Sequence, residues 1–360
     1  MSTNNKQFFK FILQSILFWV VALFAFAIFR FYGIEQESLL PTAENTTNQE
    51  ILNPYLISLF LGLGLGLLYG IVDYLYERFF LKKVGLGVGL LLNTFLHFIS
   101  TIFVFTFGLN LIAKIFSLSI NLEIGWWLTY KRFWAAILYI ILSSLVFSFL
   151  KIAKERFGTG VFVKMLLGRY KIPQEEERIF MFLDLKDSTT IAEKLGHNLY
   201  SQFIQDCFYD LNEVVLFYDA EIYQYVGDEV VLSWPYHKGL ADNNCIGVFF
   251  AFELKRETRK EYYLKKYGVF PMFKAGIHGG SLMAAEVGFV KKELAYHGDV
   301  INTSARIQAE CNKHNVSLLI SENLLKNLKG KSVSSSNFLG SVLLKGKEKE
   351  VKIHSIVYDV

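Results

Sequence analysis

Apolar residues crowd the first 150 positions in four long runs, whereas after Lys151 they break into short strands and helical stripes. The runs Phe11–Phe31, Tyr55–Leu75, Leu86–Leu109 and Phe133–Leu150 approach or exceed the ~20 residues that cross a bilayer's hydrocarbon core. The pattern therefore predicts an all-α membrane domain of four transmembrane helices over residues 1–150. Within the second run, Gly62, Gly66 and Gly70 recur four apart. That spacing places a smooth stripe on one helix face and lets two backbones approach closely, and packing inside the bundle is favoured over a dedicated dimer face. Asp73, Asn93 and His97 are the polar residues of these runs. Asn93 and His97 share a face that is costly in lipid unless it turns inward. Hydrogen bonding between helices is the expectation, with a sensor of ligand or protons as the alternative.

Residues 151–177 turn charged and read as a connector, interrupted by Gly158 and Gly160, with a short amphipathic helix over Val161–Leu167. From 178 to 360 the periods of 2 and 3.6 alternate. Ile179–Leu185 reads as a buried strand and Thr189–Tyr218 as a helix. Glu221–Val226 and Val230–Trp234 read as a hairpin around Gly227-Asp228-Glu229. Helix over Asn243–Lys265, strand over Met272–Met283, helix over Val300–Cys311 and strand over Ser317–Ile320 follow, before the closing segments Phe338–Leu344 and Val351–Tyr358. The order is that of an α+β, ferredoxin-like split βαβ domain.

Composition agrees with this division. With 52% hydrophobic residues and a mean hydropathy of +0.32, the chain is too apolar for a soluble enzyme of its length. Basic residues mark one side of the spans: Lys6 and Lys10, then Arg78, Lys82 and Lys83, then Lys151, Lys154 and Arg156, against Glu35, Glu37, Glu44 and Glu50 in the first loop. By the positive-inside rule the N-terminus and everything after Lys151 are cytoplasmic, with Lys131 and Arg132 dissenting. The reading is a multi-pass protein of the cell (inner) membrane, its first run an uncleaved anchor rather than a signal peptide. The net charge of +4 decides nothing about partners. Cys207, Cys245 and Cys311 have the spacing of neither a zinc site nor a disulfide frame.

Two stretches carry candidate chemistry. In Phe182-Leu183-Asp184-Leu185-Lys186-Asp187-Ser188-Thr189 a carboxylate ends a buried strand, and in Tyr225-Val226-Gly227-Asp228-Glu229 another sits in a tight turn. If the two strands are neighbours, Asp184 and Asp228 converge, and paired oxygen donors suit Mg²⁺ or Mn²⁺ rather than zinc. Lys186, Asp187, Ser188 and Thr189 lead into a helix whose first amides can cradle phosphate. The plainer alternative is that Asp187 and Ser188 only cap that helix and Asp228 only makes the turn. Further on, Asn302 and Arg306 lie four apart on one helix face, where an amide and a cation reach a single anionic group. Lys345 adds a cation near a terminal hairpin.

These four segments, in this order, resemble the class III nucleotide cyclases, the family of adenylate and guanylate cyclases, over roughly Arg178 to Val357. The resemblance implies two metal ions, Mg²⁺ or Mn²⁺, per active site, held by Asp184 and Asp228. It implies that Asn302 orients the ribose, Arg306 stabilises the α-phosphate in the transition state, and Lys345 holds the terminal phosphates. It also implies a site formed between two catalytic domains, so that a chain carrying all five residues works as a homodimer on ATP to make cyclic AMP and pyrophosphate. The partners expected are ATP or GTP, a second copy and the lipid bilayer, with no nucleic acid.

Base selection is where the pattern departs. At the positions where the family carries Lys and Asp for adenine, or Glu and Cys for guanine, this chain has Gln224 and Ala295. A glutamine amide both donates and accepts, while alanine does neither, and Tyr296 and His297 are candidates for the missing contact. Adenylate cyclase is the primary reading. A guanylate or dual-specificity cyclase and a cyclase-like receptor without turnover are the rivals. His278, in Gly276-Ile277-His278-Gly279-Gly280, is expected to be structural, and Trp234 and Phe249–Phe252 are expected in the core.

Overall fold

The computed structural model describes residues 3–32, 54–79, 86–115, 128, 131–157, 161–328, 336–343 and 350–357. Contacts divide the chain into two compact units, Met1–Ala153 and Lys154–Val360.

The first unit carries four long helices, α1 (Thr3–Phe31), α2 (Pro54–Phe79), α3 (Leu86–Ile115) and α4, which begins at Lys131 and runs on to Phe157. Each is long and apolar enough to cross a membrane. The glycine stripe of α2 faces α1. A Cβ on Gly62 would stand 2.8 Å from the Val20 Cα, one on Gly66 2.4 Å from the Ile16 Cα, and one on Gly70 3.0 Å from the Ile12 Cα. Only hydrogen at these positions permits that backbone approach, so this chain uses the stripe to pack its own bundle. Trp19, Leu65 and Tyr69 are fully buried beside it. The polar residues also turn inward. His97 Nε2 lies 3.0 Å from Asp73 Oδ1, Asn93 reaches the same carboxylate, and the Tyr69 ring stacks on His97 at 4.0 Å. The hydroxyls of Tyr69 and Thr101 both donate to the His97 carbonyl.

The second unit begins with the end of α4 and the short helix α5 (Val161–Leu166), and is built on one eight-stranded sheet. Its strands are β1 (Gln174–Leu185), β2 (Glu221–Val226), β3 (Glu229–Pro235), β4 (Phe273–Val287), β5 (Glu293–His297), β6 (Leu318–Ser321), β7 (Ser336–Val342) and β8 (Val351–Ile356). They run in the order β2-β3-β1-β4-β6-β8-β7, with β5 paired to β4. The first four are the ferredoxin-like core. Central β1 is covered on both faces. Ile179, Met181, Leu183 and Leu185 enter one core with helices α6 (Ser188–Val215), α7 (Tyr236–Leu240), α8 (Asn244–Thr258) and α9 (Lys260–Tyr267). Phe180 and Phe182 enter the other core, with Tyr296 and Val300. Alternating side-chain direction makes this division, and it explains why β1 reads as an unbroken apolar run. Helix α10 (Asp299–His314) contributes Val300 to that second core, and the short α11 (Glu322–Leu325) follows β6.

Three elements depart from the expected pattern. β1 starts five residues before its apolar run, because Gln174–Arg178 pair with Gly280–Ala284 of β4 despite their charge. The long helix expected over Asn243–Lys265 breaks at Arg259, where φ is −107°. β5 is an additional strand, set by its pairing with Met283–Val287 and not by any apolar run of its own.

Candidate active site

β1 delivers Asp184 to the edge of the sheet, where it stands opposite Glu229 on β3 and Lys274 on β4. Asp228 lies between β2 and β3 in a two-residue turn, with Gly227 at φ +62°. Positive φ at the first turn position is what such hairpins demand and what glycine supplies without strain. The structure thus brings together the two carboxylates that the sequence singled out.

The two carboxylates also interact electrostatically. Burial pushes the Asp184 carboxyl up, and the charge of Asp228 adds to it, against the lowering effect of Lys274. Glu229 is pushed up to about 7, by burial first and then by the charges of Asp184 and Asp228. Like charges crowded into a partly buried site disfavour ionisation, and a cation would relieve them. Among the described residues no three of His, Cys, Asp and Glu form a ready-made metal cage. The donor set is oxygen-only and carboxylate-poor, which fits Mg²⁺ or Mn²⁺ completed by substrate phosphates. Asp184 and Asp228 are the residues that would hold such an ion.

Two neighbours of Asp184 were not expected. Lys274 Nζ lies 3.1 Å from Asp184 Oδ2, and the Gln308 amide donates to the same oxygen at 2.9 Å. The sequence signal for Lys274 is a lone charge inside the apolar strand Phe273–Ile277. Nothing local marks Gln308, which reaches Asp184 only because α10 docks against β4.

The phosphate-cradle segment behaves as a helix start. Asp187 holds the N-cap position in the left-handed region at φ 57°, and its side chain makes no capping bond. The first helical bond runs from Ile191 to the Asp187 carbonyl, so the amides of Ser188, Thr189 and Thr190 have no partner within the helix. Lys186 and Thr189 are exposed. Ser188 is hydrogen-bonded to Tyr200, a further residue that feels the charge of Asp228 and that no motif revealed.

Helix α10 turns Val300, Ser304, Ile307, Gln308 and Cys311 inward and leaves Asn302 exposed and Arg306 partly exposed. Among the described residues, neither makes a hydrogen bond or ion pair with Asp184 or Asp228. Lys345 lies outside the described residues. Gln224 is exposed on β2 beside a β-bulge between Ile222 and Gln224, a device that re-aims side chains near functional sites. Ala295 pairs with Ala285. Tyr296 is part of the core, packed edge-on against Phe180 at 5.5 Å and under Arg178 at 4.9 Å, whereas His297 is exposed. His278 is buried in β4 with Nδ1 2.7 Å from Ser321 Oγ, a structural position. Trp234 is fully buried, its indole donating to the Tyr218 carbonyl.

Comparison with known proteins places this geometry. The family model described as the adenylate and guanylate cyclase catalytic domain matches residues 171–357. Adenylate cyclase 2 of Rhizobium meliloti (strain 1021) is 34% identical over 220 residues, covering 61% of this chain and 61% of the relative. Adenylate cyclase 1 of the same organism is 27% identical over 219 residues, covering 59% of this chain and 32% of the relative. The chain thus spans less than two thirds of the length of either. The solved structure of a bacterial light-regulated adenylyl cyclase shares the fold, with a TM-score of 0.51 at 17% identity, over 60% of this chain and 64% of that one.

Proposed function

The chain belongs to the family of adenylate and guanylate cyclase catalytic domains, and on that premise we propose that it converts ATP to 3′,5′-cyclic AMP and pyrophosphate. It does so as a homodimer anchored in the cell membrane by its four N-terminal helices, with the N-terminus and catalytic domain on the cytoplasmic side. One observation carries the reading. Asp184 and Asp228 meet at one sheet edge, while Asn302 and Arg306, four apart on α10, make no hydrogen bond or ion pair with them among the described residues. A second copy completes each half-site.

Asp184 and Asp228 would hold two divalent ions, Mg²⁺ or Mn²⁺. When bound, these supply Lewis acidity that lowers the pKa of the ribose 3′-hydroxyl and neutralises charge on the leaving pyrophosphate. The 3′-oxygen forms a bond to the α-phosphorus as the bond to the bridging oxygen breaks, and the hydroxyl proton passes to solvent. Asn302 orients the ribose. Arg306 meets the charge that accumulates on the α-phosphoryl oxygens, an interaction strongest in the transition state. The amides at the start of α6 and the ammonium group of Lys345 bind the departing phosphates. Gln224 and the backbone at Ala295 face the base.

The test is purified full-length protein with Mn²⁺, given ATP and GTP separately, with cyclic product quantified. Cyclic AMP from ATP is expected. Product from GTP alone would replace adenine by guanine in this reading, and no product from either would favour a nucleotide-binding receptor.

A further inference from the structure

Gln308 takes no part in the chemistry above, yet it is buried to 6% exposure and its side-chain amide donates to Asp184. Its backbone is held as tightly. A Cβ on Gly276 would lie 2.2 Å from the Gln308 nitrogen and 2.6 Å from its Cα, so α10 rests directly on β4 at this residue. The amide therefore reaches Asp184 from a fixed origin.

Both donors on Asp184 use the same oxygen. Gln308 Nε2 and Lys274 Nζ meet Oδ2, and Oδ1 has no partner among the described residues. The two donors differ in charge. A divalent ion on Asp184 repels the Lys274 ammonium, which has a second acceptor at hand in Asn312 Oδ1, 3.3 Å away. The neutral amide feels no such repulsion and does not neutralise the carboxylate that must attract the ion.

We propose that Gln308 is a positioning residue that fixes the Asp184 carboxylate by Oδ2 and presents Oδ1 to the metal. The proposal rests on the cyclase reading and deepens it. Groups that orient metal-binding carboxylates in this way typically change metal affinity by about 10–100-fold when removed.

The experiment compares full-length protein in lipid nanodiscs with its Gln308→Met and Gln308→Asn variants. Met keeps the length and loses the donor, whereas Asn keeps the amide and falls one methylene short. Mn²⁺ binding is followed by electron paramagnetic resonance in the presence of 3′-deoxy-ATP, which lacks the attacking hydroxyl. Cyclic AMP formation is measured in parallel across Mn²⁺ concentrations. Both variants should need about tenfold more Mn²⁺ for half-saturation, with kcat and the KM for ATP returning to within about twofold of the parent at saturating Mn²⁺. Unchanged half-saturation in both variants, or a loss of kcat that added Mn²⁺ does not restore, overturns the assignment. If the unsubstituted protein binds Mn²⁺ but forms no cyclic product, the cyclase reading fails while the binding titration still judges Gln308.

Discussion

Gly276 and Gln308 touch backbone to backbone: no side chain fits at position 276, where a Cβ would come within 2.7 Å of the Ser304 carbonyl oxygen as well as against the Gln308 amide. The neighbour that would have to move is a helix backbone, which cannot swing aside as a long side chain can. Gly276→Ala should therefore displace α10 and destabilise the domain by about 1–3 kcal/mol or more. It should also lower activity by misplacing Asn302 and Arg306. Thermal unfolding and cyclic AMP assays on the same preparation check both effects.

Asp184→Ala removes half of the proposed metal-binding pair but leaves the buried faces of β1 intact. Turnover should fall by at least about 10²-fold while the domain stays folded. Retained activity in a correctly folded variant would sink the metal assignment.

Asp184→Ala and Arg306→Ala damage opposite halves of the proposed composite site. Each variant alone should be inactive. A one-to-one mixture, allowed to exchange subunits, should recover about a quarter of the native rate, because half the dimers are mixed and each of those holds one intact site of two. Failure to recover any activity, with mixed dimers shown to form, would place the whole site in one protomer.

In the membrane unit, His97 and Asp73 are each buried to 2% exposure. Replacing His97 by Leu removes the ring nitrogen that faces the buried Asp73 carboxylate, and breaking a buried pair in this way typically costs about 3–5 kcal/mol. Thermal unfolding in detergent should show His97→Leu strongly destabilised and the double variant His97→Leu, Asp73→Leu less so, since the second change removes the stranded charge.

A pH effect follows from Asp206, where Tyr262, Lys266 and Tyr267 all donate to Oδ2 at 2.6–2.9 Å. Burial opposes ionisation, but these hydrogen bonds outweigh it and hold the carboxyl below its usual range. A depressed folded-state pKa adds stability above the unfolded value of about 3.9 and loses it as pH falls through the lower folded value. Asp206→Asn should thus cost about 1–2 kcal/mol at neutral pH. The gap between variant and parent should close below about pH 4. A gap independent of pH would refute the ionic origin.

Much of this protein was legible in its sequence, because the signals are local. Four apolar runs report length against a bilayer. Alternation and helical period report the core elements of the catalytic unit, and Asp184, Asp228, Asn302 and Arg306 announce themselves by their turns and spacing. What stayed hidden depends on pairing between distant segments. β5 exists because β4 offers it an edge, and Lys274 faces Asp184 because strand register sets them opposite. Tyr296 is drawn into the core by Phe180 and Arg178. Gln308 matters because a glycine 32 positions earlier admits its helix. The sequence alone determined which groups the proposed chemistry calls on. Only the tertiary structure decided which groups hold them, because a hydrogen bond across 124 residues, such as Gln308 to Asp184, is fixed by register and close packing and leaves no periodic trace in the chain.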